Sequence, residues 1–80
     1  MKDEKTEQDY EIINTFKERA YYFYKNKIKV HVSAKTNRWY NGFISLVHPD
    51  YIILNDGVNG KTQVFFFEIK TIERYKEQNG

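Results

Sequence analysis

The chain contains no cysteine, which excludes a disulfide framework, a thiolate metal site and a cysteine nucleophile. With 80 residues it is too short for a two-domain enzyme, because domains of about 100–150 residues are the norm. No apolar run approaches the about 18–20 residues that cross a bilayer, so we expect no membrane partner. The segment Met1–Asp9 is polar and unlike a secretory signal peptide, which predicts a cytoplasmic protein.

Aromatic residues, in contrast, are abundant. Seven Tyr, six Phe and one Trp bring the aromatic fraction to 18%, so most of the chain has enough apolar bulk to fold. A small chain without disulfides must fold by packing alone or by associating with other chains.

Positive charge is concentrated in one segment, although the net charge is only +2. Residues 25–38 contain five basic side chains and no acidic one, and the segments on either side have a small negative excess. The five are Lys25, Lys27, Lys29, Lys35 and Arg38. Such a stretch attracts a polyanion even in a nearly neutral protein, but it is also typical of a solvated strand face.

The first predicted element is a helix that follows a flexible polar tail, residues 1–9. Asp9 is its predicted N-cap, and apolar residues then recur at spacings of three and four up to Tyr24, as on one face of a helix. Asn26 is the predicted stop, because Asn tolerates left-handed backbone angles.

Five short strands are predicted after the helix, from apolar–polar alternation and from the turn sequences between them. They are residues 27–33, 38–47, 51–55, 63–68 and 71–75. Gly42 predicts a sharp bend in the second strand. No helix lies between strands, so the fold class is mainly β: an N-terminal α-helix followed by a five-stranded, strongly bent antiparallel β-barrel. Residues 10–75 form the single predicted domain, and residues 76–80 a second flexible tail.

Three consecutive phenylalanines, Phe65 to Phe67, lie in the fourth predicted strand. Neighbouring strand residues point to opposite faces, so at least one ring points away from the barrel interior and needs another cover. A neighbouring subunit is the favoured cover, and the predicted N-terminal helix and a binding partner are the alternatives. The predicted subunit interface is Val64, Phe65, Phe66, Phe67 and Ile72.

The order of these elements resembles that of the Sm/LSm and Hfq family of small β-barrels, over about residues 10–75. The likeness rests on the segment Asn41–Leu54, where Gly42 fits the family's bending glycine and Ile44 its alternating apolar positions, and on Val64–Ile72 at the closing strands. The resemblance implies an Sm-like, SH3-like barrel. It also implies a homo-oligomeric ring, in which the fourth strand of one subunit pairs with the fifth of the next, and RNA as a ligand.

The family's uridine-binding residues do not recur at the matching positions of this chain. Without gaps, His48 stands at the family's aspartate and Ile52 at its uracil-contacting asparagine. Phe66 and Phe67 stand where the Hfq type has basic and imidazole side chains. A turn longer by one residue would assign the aspartate to Asp50, but no asparagine follows at the right distance. Any RNA is therefore expected to bind through another face.

Basic side chains next to aromatic rings suit that other face, because phosphates bind lysines and unstacked bases stack on flat rings. The candidate RNA-binding residues are Lys25, Lys27, Lys29, His31, Lys35, Arg38, Trp39 and Tyr40. Strand alternation places one of Trp39 and Tyr40 in the core and leaves the other outside. Tyr51, the next aromatic residue along the chain, is predicted to fill the core.

No pattern in the sequence indicates catalysis, a metal or a cofactor. The two histidines, His31 and His48, have no metal-like spacing, and Ser33 and Ser45 have no neighbouring base that could activate a nucleophile. Two hypotheses remain. In the first, a non-enzymatic Sm-like protein forms a homo-oligomeric ring and binds RNA through its basic and aromatic face. In the second, the same barrel is a protein–protein interaction or scaffold module that does not bind RNA.

Overall fold

The computed structural model describes residues 7–76, with side chains from residue 13 onward. Helix α1 spans Glu7–Lys25, so it begins two residues before Asp9, the predicted cap. Most of both predicted tails, residues 1–6 and 77–80, lies outside the described residues. Ala20 and Phe23 are buried on the predicted apolar face of α1. The left-handed residue after the helix is Lys27, with φ of 55°, and not Asn26.

Five antiparallel strands follow the helix, as predicted. They are β1 (Val30–Ala34), β2 (Trp39–Val47), β3 (Tyr51–Asp56), β4 (Gly60–Phe65) and β5 (Ile69–Arg74). They form one sheet in the order β4-β3-β2-β1-β5. The register shifts between Ile44 and Leu46 in β2 and between Ser33 and Ala34 in β1, which increases the twist of the sheet. The predicted fold class, a helix followed by a bent five-stranded antiparallel sheet, is confirmed.

The hydrophobic core lies between α1 and the inner face of the bent sheet. Every strand contributes to it, and the largest fully buried side chains are Phe66, Ile52, Leu54, Ile69, Val30, Val32 and Val64. The helix is also tied to the sheet by a hydrogen bond of 3.0 Å from Arg19 Nε to the carbonyl oxygen of Ile72. One helix therefore closes one side of the core.

The three phenylalanines are divided between the core and the surface. They do not lie in the one continuous strand that the sequence predicted. Strand β4 ends at Phe65, and Phe66 to Glu68 form a short 3₁₀ helix that leads into β5. Phe66 is buried in the core, whereas Phe67 is 53% exposed. The rings of Phe65 and Phe67 stack on each other, with centroids 5.4 Å apart. Helix α1 therefore leaves Phe67 without cover in the isolated protomer.

Three of the five residues of the predicted subunit interface lie in the core of the protomer. Val64, Phe66 and Ile72 are between 1% and 3% exposed, because their side chains fill the core of their own protomer. Only Phe65 and Phe67, of the five predicted residues, present side chains at the surface. Strands β4 and β5 are the two ends of the sheet, so among the described strands each is paired along one edge only. Their free edges are where another chain can add a strand.

Candidate functional site

One candidate residue, His31, lies on the outer side of β1. Val30, Val32 and Ala34 point into the core, so the alternate residues His31 and Ser33 point outward. On one side, His31 pairs with Asn41 and Ser33 with Trp39 of β2. On the other side, the same two residues pair with Glu73 and Thr71 of β5. The outer faces of β1, β2 and β5 therefore lie side by side.

A cleft of about 670 Å³ lies next to these strands, and we call it the sheet-face cleft. It contains four of the eight candidate RNA-binding residues: Lys29, Arg38, Trp39 and Tyr40. The other lining residues are Asn41, Asp56, Gly57, Val58, Asn59, Thr62 and Tyr75. Residues far apart in the sequence meet here because β2 lies beside both β1 and β3.

Trp39 is the exposed ring of the cleft and Tyr40 the inner one, as alternation along a strand requires. Trp39 is 62% exposed, whereas Tyr40 is half-buried and packs against the core. The Trp39 ring lies 6.4 Å from that of His31, centroid to centroid. His31 Nδ1 is 2.6 Å from Asn41 Oδ1, which holds the imidazole in place. Trp39 thus presents a large flat surface that a base can stack on.

Sequence reasoning missed the contribution of the last strand. A second cavity, of about 340 Å³, is lined by His31, Asn41, Glu73, Arg74, Tyr75 and Lys76. It shares Asn41 and Tyr75 with the sheet-face cleft, so the two cavities adjoin. Lys29 Nζ lies 4.4 Å from the centroid of the Tyr75 ring, in cation–π contact. The sequence feature that could have indicated these residues is the basic and aromatic segment Arg74-Tyr75-Lys76. Its position beside β1, however, follows only from the strand order.

The remaining predicted residues lie away from the cleft. Lys25 is at the end of α1, with its Nζ 5.9 Å from the ring centroid of Tyr21. Lys27 is in the turn between α1 and β1. Lys35 is in the turn after β1, where its backbone N–H donates to the carbonyl oxygen of Glu68 at 2.8 Å. The basic segment is therefore divided among several surfaces, and only part of it is at the cleft.

Asp56 holds the turn that forms one wall of the cleft. Its carboxylate is 8% exposed and accepts three backbone hydrogen bonds: from Val58 N at 2.6 Å, from Asn59 N at 3.0 Å and from Asn41 N at 3.0 Å. The bonds from Asn59 and Val58 lower the pKa of Asp56 below its ordinary value of 3.8, and they outweigh burial, which raises it. The charged form of Asp56 is thus favoured by folding.

Asp56→Asn is expected to lower the free energy of unfolding at neutral pH by about 1–2 kcal/mol, because an amide oxygen is a weaker acceptor than a carboxylate. A lowered pKa stabilises the fold above the ordinary value of 3.8, and this stabilisation disappears as the pH falls through the folded-state pKa. The difference between wild type and variant should therefore shrink in acid. Urea unfolding between pH 7 and about pH 3 measures it. Asp50→Asn, at an exposed aspartate, is the control, and a difference independent of pH would contradict this role.

A second aromatic surface runs along the far end of the sheet. His48 stacks on Tyr51 at 4.1 Å, Tyr51 meets Phe65 edge to face at 5.6 Å, and Phe65 stacks on Phe67 at 5.4 Å, all between ring centroids. Tyr51 is half-buried in this row and is not part of the core cluster, so its predicted place in the core was wrong. Tyr51 pairs with Phe65 across β3 and β4, which places both rings on one face.

The described residues form neither a metal-binding cluster nor a membrane-spanning helix. Residues 7–76 contain no group of three or more His, Asp or Glu side chains placed to hold a metal ion. Helix α1, the one α-helix among them, is not long and apolar enough to span a membrane.

Comparison with known proteins relates the chain to others by structure and not by sequence. Neither the protein-family models nor the curated proteins yield a match. A solved structure, the 1.55 Å crystal structure of the pleiotropic translational regulator Hfq, superposes with a TM-score of 0.65 at 18% sequence identity. The match covers 75% of this chain and 98% of the Hfq chain. At this level of identity the likeness establishes architecture, and the chain has the Sm-like fold of Hfq.

Proposed function

We propose that this protein is a non-enzymatic, cytoplasmic Sm-like protein that forms a homo-oligomeric ring and binds RNA through the sheet-face cleft. The observation that carries the proposal is the composition of the two adjoining cavities. Lys29, Arg38 and the exposed ring of Trp39 line the sheet-face cleft, and Arg74 and Lys76 line the cavity next to it. Cations for the phosphates and an exposed ring for a base are the two components of single-strand recognition.

The charge balance of the two adjoining cavities supports this assignment. Their two carboxylates are Asp56, which accepts hydrogen bonds from three backbone N–H groups, and Glu73. The four cations therefore leave a positive excess to attract an RNA backbone. The aromatic row of His48, Tyr51, Phe65 and Phe67 includes no lysine or arginine, which makes it the weaker candidate for phosphate contacts.

The ring is supported by the two free sheet edges and by the Phe65–Phe67 pair. In the Hfq-like arrangement, the β4 edge of one copy pairs with the β5 edge of the next, which satisfies backbone groups that a lone protomer leaves to water. The same contact would cover part of the exposed Phe67 ring. A ring also repeats one modest cleft several times, so that a strand crossing several clefts binds with avidity.

Removing two cleft cations tests the RNA assignment. We expect Lys29→Ala/Arg38→Ala to bind single-stranded RNA more weakly and to reduce the slope of log affinity against log salt by about 0.7 for each phosphate that is no longer neutralised. Fluorescence anisotropy with a labelled oligonucleotide across a salt series measures both. The control variant Lys25→Ala/Lys35→Ala removes the same charge outside the cleft. Its RNA affinity and salt slope should be closer to those of the wild type. Equal salt slopes for the cleft variant and wild type would refute the proposal.

A protein-docking role is the second candidate, and exposed apolar side chains favour it. Phe43 is 47% exposed, Leu46 44% and Phe67 53%. Leu46 has no aromatic ring on which a base could stack, so its exposure favours a protein partner. A pulldown of the tagged chain, sequenced for RNA and analysed for protein, separates the two roles. Stoichiometric protein without RNA would support docking, and enriched RNA that disappears with the Lys29→Ala/Arg38→Ala variant would support the first proposal.

A further inference from the structure

Asparagine followed by glycine is the sequence most open to spontaneous deamidation, because glycine has no Cβ to hinder its own backbone nitrogen. The chain contains three such pairs: Asn41-Gly42, Asn59-Gly60 and Asn79-Gly80. The last lies outside the described residues. The structure distinguishes the other two.

Asn41-Gly42 is held inside the sheet. Gly42 is buried and pairs with Val30 of β1 and Asp56 of β3, and the Asn41 amide is bound to His31 at 2.6 Å. Asn59 is the last residue of the exposed turn between β3 and β4, and Gly60, also exposed, is the first residue of β4, opposite Asp56. Gly60 has φ of +74°, and no atom lies within 4 Å of where its Cβ would be. The space beside Gly60 is therefore open, whereas the backbone of β3 fills the space beside Gly42.

We propose that Asn59 is a deamidation site whose product weakens RNA binding at the sheet-face cleft. The Gly60 nitrogen loses its proton to solvent and forms a bond to Asn59 Cγ. The Cγ–Nδ2 bond breaks, and Nδ2 leaves as ammonia after taking a proton from water. Water then opens the cyclic imide at either carbonyl, which leaves aspartate or isoaspartate at position 59. Water is the one co-reactant.

The new carboxylate lies where negative charge is least tolerated. Asn59 lines the sheet-face cleft, and its backbone N–H donates to the Asp56 carboxylate at 3.0 Å. Deamidation adds a second carboxylate next to the nearly buried Asp56, and isoaspartate also lengthens the backbone of the turn by one methylene. Like-charge repulsion should loosen the cleft wall, and the added charge should repel phosphates. This consequence rests on the proposed RNA function, whereas the chemistry does not.

Peptide mass spectrometry of the intact protein, aged at mildly alkaline pH, tests the chemistry. We expect the peptide containing Asn59 to gain about 1 Da well before the peptide containing Asn41. Asn59→Gln should suppress the mass gain at position 59. The peptide containing Asn79, the third Asn-Gly pair, provides a reference deamidation rate in the same sample. A gain at Asn41 as fast as at Asn59, or no gain at Asn59, would overturn the assignment.

The effect on RNA is tested with two variants at the same position. Asn59→Asp should bind a labelled single-stranded RNA about fivefold more weakly than Asn59→Gln at low salt, and the difference should shrink as salt is raised. Equal affinities would overturn the proposed consequence. Failure of the wild type to bind RNA at all would instead refute the proposed function and leave the mass result standing.

Discussion

Gly42→Ala is expected to destabilise the protein by about 3 kcal/mol or more, because no room exists for a side chain at this position. An added Cβ would overlap the carbonyl oxygen of Asn55 and lie 2.7 Å from its carbonyl carbon and 3.1 Å from the Asp56 Cα. These atoms belong to the backbone of β3, so they move only if the pairing of β2 with β3 opens. In a chain of 80 residues such a loss lowers the melting temperature by roughly 12 °C or more.

Gly57→Ala is the matched control, since no atom lies within 4 Å of its Cβ position. Thermal unfolding followed by circular dichroism compares the two variants. If Gly42→Ala melts within a few degrees of Gly57→Ala, the close approach of β2 to β3 is not what shapes the sheet. If Gly42→Ala does not fold at all, the direction of the prediction holds. A folded Gly57→Ala variant would then show that the loss is specific to position 42.

The second large effect is expected at Trp39. Replacing it by alanine should weaken binding of single-stranded RNA by about 1–3 kcal/mol, or about five- to hundredfold, which is the contribution of one stacked base. Its ring is 62% exposed and next to His31, so truncation removes a binding surface and little of the core. The loss should persist at high salt, because stacking is not screened as phosphate contacts are.

Phe43→Ala is the control for this prediction. Phe43 lies on the same face of β2, is 47% exposed and does not line the cleft. Fluorescence anisotropy with one RNA oligonucleotide and both variants gives the comparison. Equal losses for the two variants would assign binding to general surface hydrophobicity and not to the Trp39 ring.

Periodicity was sufficient to predict the helix and all five strands, because each element has one buried face. Ala20 and Phe23 fall on the buried side of α1, and Val30 and Val32 alternate with exposed residues in β1. The fold class followed from the absence of a second helix. Boundaries were less accurate: β4 begins at Gly60 and not at residue 63, since a hairpin turn has no hydrophobic pattern of its own.

The candidate site could be predicted only in part. Alternation required one of Trp39 and Tyr40 to be exposed, but it could not show that Arg74 and Lys76 line an adjoining cavity. That depends on β5 pairing with β1, a pairing between segments about forty residues apart. The 3₁₀ turn at Phe66 also has no periodic signal, and it sends Phe67 to the surface independently of strand alternation.

The central claim is that copies of this chain associate through the free edges of β4 and β5 and so build a ring that repeats the cleft. Light scattering coupled to gel filtration tests it most directly on the intact protein. A single species whose mass is a multiple of 9.7 kDa, with at least three copies, is the expected result. A mass of 9.7 kDa at all concentrations would contradict it, because the exposed Phe67 and both sheet edges would then remain unpartnered in solution.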